Sequence, residues 1–394
     1  MKKKLAAMFA ALSLVVVGMP GYAEDTIENI EMDVLETAAK ADETLPARSA
    51  ILMEQDTGRV LFEKNPDEPM PPASITKVMT LLLTMEAIES GQIRLTDMVA
   101  CSEYAASMGG SQIWLEPGEE MSVDDLLKAT AIASANDAAV DLAELVAGSE
   151  DAFVDRMNAR AEELGMENTH FMNATGLDAE GHVSTARDIA LMSRALLQYP
   201  LISEYSKIWM SSLRNGETQL VNTNKLIRFY NGCTGLKTGT TDGAGSCLSA
   251  SATRKGLSLI AVTLGSPTSA ERFSAARGLL DYGFANYMKA PIPPLEGIEP
   301  VHVTRGVEDQ VEVHANQPDS VIIRSGQQVK ITQEPELVEE VEAPVEAGQR
   351  LGKVAVKMDG ELLLEYDLVA ASPVERMTFM TALKFLLNEL IAIE

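Results

Sequence analysis

Apolar positions fill residues 75–88 on almost every face of a helical wheel, and Gly91 follows as a terminator. A helix with that pattern belongs in the middle of a domain. Upstream, the apolar run Ser49-Ala50-Ile51-Leu52-Met53, the turn Asp56-Thr57-Gly58 and the run Arg59-Val60-Leu61-Phe62 predict a β-hairpin. A proline-rich approach from Pro69 to Pro72 then delivers Ser74 to the start of the buried helix. Residues 126–146 and 153–164 repeat their apolar positions at helical spacing. Another helix opens at Ser184-Thr185-Ala186-Arg187-Asp188, where a threonine three residues before an acid is a capping signal. After Lys237 the period changes to that of strands, over 246–252 and 257–264, with turns at Asp242-Gly243 and Arg254-Lys255-Gly256. A helix over 272–287 closes the series. Helices bracketed by strands from both ends of one segment predict an α+β domain over residues 45–290.

Beyond it, Pro291-Ile292-Pro293-Pro294 reads as a stiff linker. Short alternating patches at 301–303, 321–323, 354–356 and 362–368 predict a small all-β domain, a sandwich, over 291–371. Residues 372–394 form a C-terminal amphipathic helix, taken to start at Pro373, with a narrow polar stripe of Thr381, Lys384 and Asn388. It is too short and interrupted for a membrane span. It either lies in the bilayer interface as a peripheral anchor or packs on the β domain.

Composition then places the chain. Residues 1–23 carry Lys2-Lys3-Lys4, an apolar stretch and Gly21-Tyr22-Ala23 before Glu24, the pattern of a signal peptide; an uncleaved anchor is the alternative. The protein is therefore expected to be exported, secreted across or held at the membrane. Residues 24–44 are an acidic leader, with eight acids and one lysine between Glu24 and Glu43. The formal net charge of −26 becomes more negative still when the signal is lost, which excludes a nucleic-acid partner. With three cysteines this is no disulfide framework. Cys233 and Cys247 are either bridged or free.

The candidate chemistry begins at Ser74-Ile75-Thr76-Lys77. Spacing of three puts a hydroxyl and an amine on one helical face, so a neutral Lys77 can take the proton of Ser74. Burial and a second cation, Lys237, both lower a lysine pKa. The tetrapeptide alone is a weak signal; its weight comes from Ser134-Ala135-Asn136 and Lys237-Thr238-Gly239, which follow in the order used by serine acyl-transferases of this signature. Ser134 can relay a proton to a leaving amine, and Asn136 can hold Lys77 and a substrate amide. Lys237, Thr238, Gly239 and Thr240 lie on an edge strand to which a peptide can add. Ser74 N–H and Thr240 N–H are the natural oxyanion donors. His170, His182, His302 and His314 have no spacing for a metal, and neither metal nor cofactor is expected.

These residues, with Pro72-Ala73, Asp137-Ala138, Gly176-Leu177-Asp178 and Thr241-Asp242, resemble the low-molecular-mass penicillin-binding proteins of the serine D-Ala-D-Ala carboxypeptidase family. The resemblance implies a penicillin-binding-protein/β-lactamase-like catalytic domain of antiparallel sheet plus helical cluster. It implies removal of the terminal D-alanine from peptidoglycan pentapeptide stems through an acyl-serine, in cell-wall maturation and cell shape. β-Lactam antibiotics would be covalent inhibitors. Catalytic residues would be Ser74, Lys77, Ser134, Asn136 and Lys237, with Thr238, Gly239, Thr240 and Arg272 binding substrate, Arg272 through its carboxylate. The location would be the envelope, at the outer face of the cytoplasmic membrane. One departure is Ala135, where the motif often has glycine. The rival readings are a β-lactamase, for which no E-x-x-L-N element lies between Ser134 and Lys237, and a non-catalytic wall- or drug-binding module.

Overall fold

The computed structural model describes residues 45–326 and 330–384. The expected signal peptide, the acidic leader up to residue 44 and the end of the terminal helix lie outside them.

The centre is a five-stranded antiparallel sheet. Its strands are β1 (Ser49–Glu54), β2 (Val60–Lys64), β3 (Cys233–Thr241), β4 (Gly245–Arg254) and β5 (Leu257–Ser266), in the order β2-β1-β5-β4-β3. Both faces are covered, and the period-two rule shows where each side chain goes. Ala50 and Leu52 of β1 join one apolar cluster, while Ile51 and Met53 join the other. Leu259 and Ala261 of β5 divide in the same way from Ile260 and Val262. On the first face lies α6 (Ser269–Asn286), slightly longer than expected at its start. On the second lie α1 (Lys77–Glu89), α3 (Asn136–Ala147), α4 (Glu150–Glu163) and α5 (Ala186–Leu196).

The predicted hairpin forms β1 and β2, and Asp242-Gly243 turns β3 into β4. Thr185 caps α5, its side chain accepting from Asp188 N. α1 is buried on nearly all sides, as its pattern requires.

Four readings need correction. The start of the first helix is a 3₁₀ turn, Ala73–Thr76, with α1 beginning at Lys77. The continuous helix expected over 126–146 is broken. α2 (Val123–Lys128) widens into a π-type turn, Ala129–Ala133, ends at Ser134 with φ +65°, and restarts as α3. The proline-rich stretch begins as a strand rather than a linker, because Tyr287–Pro291 pairs with Ser320–Arg324. At the C-terminus, Val374 and Arg376 make β-bridges to Val345 and Gly306, so the described helix starts later and covers 379–384.

The other alternating patches fall on strands Val301–Thr304, Arg350–Met358 and Glu361–Ala370 of an all-β unit. Cys101, Cys233 and Cys247 are free thiols. Cys233 faces Ala252 and Cys247 faces Gly239, at opposite ends of the β3–β4 ladder, so those two cannot meet. No helix among the described residues is long and apolar enough to cross a membrane.

Candidate active site

The site lies where the 3₁₀ turn meets the outer edge of β3. Ser74 is partly exposed at the head of α1, while Lys77, one turn on, is buried. Ala73, directly before Ser74, holds φ +49°, a left-handed conformation that costs a non-glycine residue about 1–3 kcal/mol. Gly176 is what lets the turn sit there: a Cβ on it would lie 1.8 Å from Ala73 O, and its own φ is +85°. Gly239 of β3 packs on the same turn from the other side, its missing Cβ 3.1 Å from Ser74 N.

Lys77 Nζ donates to Asn136 Oδ1 at 2.5 Å and Thr175 O at 2.7 Å, and lies 3.2 Å from Ser74 Oγ. The first two are obligate acceptors, since Asn136 Nδ2 is committed to Gly109 O at 2.6 Å. A neutral amine has only two N–H groups. Both are claimed, so its lone pair is left facing Ser74. Burial pushes the Lys77 pKa well below its usual 10.5, repulsion from Lys237 adds to this, and Asp137 opposes it. Burial, with repulsion from Arg272, brings Lys237 down to about 7.

Ser134 and Asn136 arrive from the broken helix. The left-handed Ser134 and extended Ala135 turn the chain sharply before α3, so Asn136 opens the new helix within hydrogen-bond reach of Lys77 Nζ, while buried Ser134 sits at the break itself. Asn136 N donates to Ser111 O at 2.7 Å, and the Asp137 carboxylate accepts from Ile113 N and Leu115 N, each at 3.1 Å. Loop 109–115 is thereby latched beside Lys77 and Asn136. Asp137→Ala removes a buried charged acceptor, and a loss of about 3 kcal/mol of stability is expected. The midpoint of urea unfolding measures it.

From β3, Lys237 is buried and Thr238 Oγ1 donates to Thr223 Oγ1 at 2.8 Å. Thr240 is exposed at the mouth. Arg272 of α6 reaches the same strand, one of its terminal nitrogens donating to Gly239 O at 2.9 Å and Thr240 Oγ1 at 2.8 Å. The structure thus brings Ser74, Lys77, Asn136, Lys237, Thr240 and Arg272 together at one edge of the sheet. None of the scattered histidines forms a metal cluster among the described residues.

Residues 35–268 match the family described as D-alanyl-D-alanine carboxypeptidase. The chain belongs to that family. Residues 296–376 match the C-terminal domain of penicillin-binding protein 5. The carboxypeptidase is 44% identical over 343 residues to D-alanyl-D-alanine carboxypeptidase DacF of Bacillus subtilis, covering 86% of this chain and 88% of that one. It is 37% identical to DacC of Escherichia coli, again over 86% and 88%. Penicillin-binding protein 5 of Haemophilus influenzae superposes with a TM-score of 0.75 at 31% identity, covering 84% of this chain and 98% of that structure. The expected fold and enzyme class hold: this is a D-alanyl-D-alanine carboxypeptidase with a mixed catalytic domain and an all-β C-terminal domain.

Sequence reasoning gave no role to several residues that build the candidate site. Thr175 serves through its carbonyl, which no side-chain pattern reveals. Its neighbour Ala174 is clamped by Thr80 Oγ1 at 2.6 Å and by Glu150 Oε1 at 2.8 Å. His182 is buried beneath Thr76: its Nδ1 accepts from Met172 N, so Nε2 carries the proton and donates to Thr76 Oγ1 at 2.8 Å. Burial first, then His170, holds its pKa at about 4, which keeps it neutral. Gly176→Ala is expected to displace the 3₁₀ turn and slow acylation by about 10²-fold. Stopped-flow labelling with a fluorescent penicillin measures it.

Proposed function

We propose that Ser74 is the acylated nucleophile and Lys77 its base, within a carboxypeptidase that trims the terminal D-alanine from peptidoglycan stems. The observation that carries this reading is the pairing of Lys77 with two obligate acceptors, which turns its lone pair toward Ser74 Oγ. The stem peptide adds along the open edge of β3, antiparallel to it. Its terminal carboxylate is drawn to Lys237, Thr238 and Arg272, and Asn136 holds the preceding amide.

Ser74 Oγ attacks the carbonyl carbon of the penultimate D-alanine as its proton passes to Lys77 Nζ. The oxyanion that forms is stabilised by Ser74 N–H and Thr240 N–H. Collapse breaks the C–N bond, and the leaving amine takes the proton from Lys77 through the Ser134 hydroxyl. Water then attacks the acyl carbon as Lys77 again accepts a proton; the C–O bond to Ser74 breaks, Lys77 returns the proton to Ser74 Oγ, and the shortened stem is released. A β-lactam undergoes the same attack, but its leaving nitrogen stays tethered in the opened molecule, so the adduct persists.

This chemistry belongs to the cell envelope, at the outer face of the cytoplasmic membrane, after export by a cleaved signal. Peripheral contact through the C-terminal helix fits the exposure of Phe379 (80%) and Met380 (63%). The limits 1–23 for the signal and 24–44 for the acidic leader are part of the same reading.

Incubation with a D-Ala-D-Ala peptide and, separately, with penicillin tests it. D-Alanine release together with a long-lived adduct is the expected result. Fast penicillin turnover would favour a β-lactamase, and an adduct without D-alanine release would favour a non-catalytic binding module.

A further inference from the structure

Past Thr240, the end of β3 and the turn after it meet the loop that carries Leu177 and Asp178, a contact that the reaction itself does not use. Asp178 Oδ1 accepts from Thr241 Oγ1 at 2.7 Å, and the same hydroxyl accepts from Ala244 N at 3.1 Å. The carboxylate is therefore fixed in place. Its loop is fixed as well: Asn173 Oδ1 accepts from Thr175 N and Gly176 N, while Asn173 Nδ2 donates to Leu177 O at 2.9 Å. Gly243 stands opposite, and a Cβ there would come within 3.6 Å of Asp178 Oδ2. With glycine at that place, no side chain covers the second oxygen from that side. Among the described residues no lysine or arginine forms an ion pair with Asp178. An exposed, held and unpaired carboxyl group therefore stands beside the end of β3.

The direction of the bound peptide decides what meets it. Resting on the proposed function, the peptide runs antiparallel to β3, so its terminal carboxylate points toward Lys237 and Thr238 and the acyl carbon lies by Ser74 and the Thr240 N–H. The residue before D-Ala-D-Ala then falls one strand step, about 3.3 Å, further toward Thr241. In peptidoglycan stems that residue is a diamino acid. We propose that Asp178 forms a subsite for the free side-chain ammonium of that diamino acid. Cross-linking converts this amine into a neutral amide, so the subsite makes the enzyme favour stems not yet cross-linked through that residue. Leu177 supplies the apolar contact for the side-chain stem: its Cδ2 lies 3.7 Å from a Cβ built on Gly110, over Asn136.

The test compares two peptides ending in Lys-D-Ala-D-Ala, one with a free lysine amine and one with that amine acetylated. Wild-type enzyme should prefer the free amine by about two- to fivefold in kcat/KM, the range of an exposed charge pair. Asp178→Asn keeps an acceptor for Thr241 and should bring the ratio to about one. Asp178→Lys should invert it. Raising salt should shrink the wild-type ratio and leave that of Asp178→Asn unchanged. A wild-type ratio near one, or a ratio that survives in Asp178→Asn, overturns the subsite. A purely structural role for Asp178 would slow both peptides equally and leave the ratio standing, which also overturns it. If wild-type enzyme releases D-alanine from neither peptide, the carboxypeptidase reading falls, and the subsite with it.

Discussion

Ser74→Ala is expected to lower D-alanine release by about 10⁴-fold or more and to abolish covalent labelling by penicillin. No neighbouring group can replace the missing oxygen. Thr76, the nearest hydroxyl in the motif, is buried and committed to His182. The fold should survive, because Ser74 is only partly buried and its side chain supports no core contact. Circular dichroism and thermal unfolding check that the variant is native, which separates lost chemistry from lost structure.

The pH profile should show the two lysines separately. The neutral form of Lys77 is the base, and its pKa is depressed, so acylation is low in acid and rises with pH as Lys77 loses its proton. Lys237 in the free enzyme titrates at about 7, and its neutral form no longer attracts the substrate carboxylate. kcat/KM should therefore fall again above that pH, giving a bell. In the complex the carboxylate stabilises charged Lys237, so kcat follows the rising limb alone. Charge-removing variants fix the assignment by sign. Asp137→Asn takes away an anion that raises the Lys77 pKa, so the limb moves to lower pH. Lys237→Met takes away a repelling cation, so the limb moves to higher pH. Lys77→Met should abolish the limb, with a loss of about 10³-fold or more in acylation. A flat profile for acylation would remove the neutral-lysine base from the mechanism.

What the sequence made legible was local. The turn at Asp242-Gly243, the Thr185 cap and the all-round apolar helix each depend on neighbouring residues alone, and each was readable. The three motifs were readable because their chemistry needs particular side chains. The break at Ser134 was not, since residues 126–139 hold no glycine or proline and carry good helical periodicity. The break is imposed by what surrounds it: Ser111 O and Gly109 O capture Asn136, and Ile113 and Leu115 capture Asp137. The support for Lys77 was hidden for another reason, because Thr175 contributes a backbone carbonyl. Arg272 was placed only through the family resemblance. Its approach to Thr240 depends on α6 crossing the sheet at one point, which spacing along the chain does not encode.

The most direct measurement is the mass of the penicillin adduct mapped to its peptide. After labelling and trypsin digestion, the added mass should sit on the peptide spanning 65–77, and fragmentation should assign it to Ser74 rather than Thr76. An adduct on any other residue, or unmodified protein under conditions in which D-alanine is released, would contradict the account.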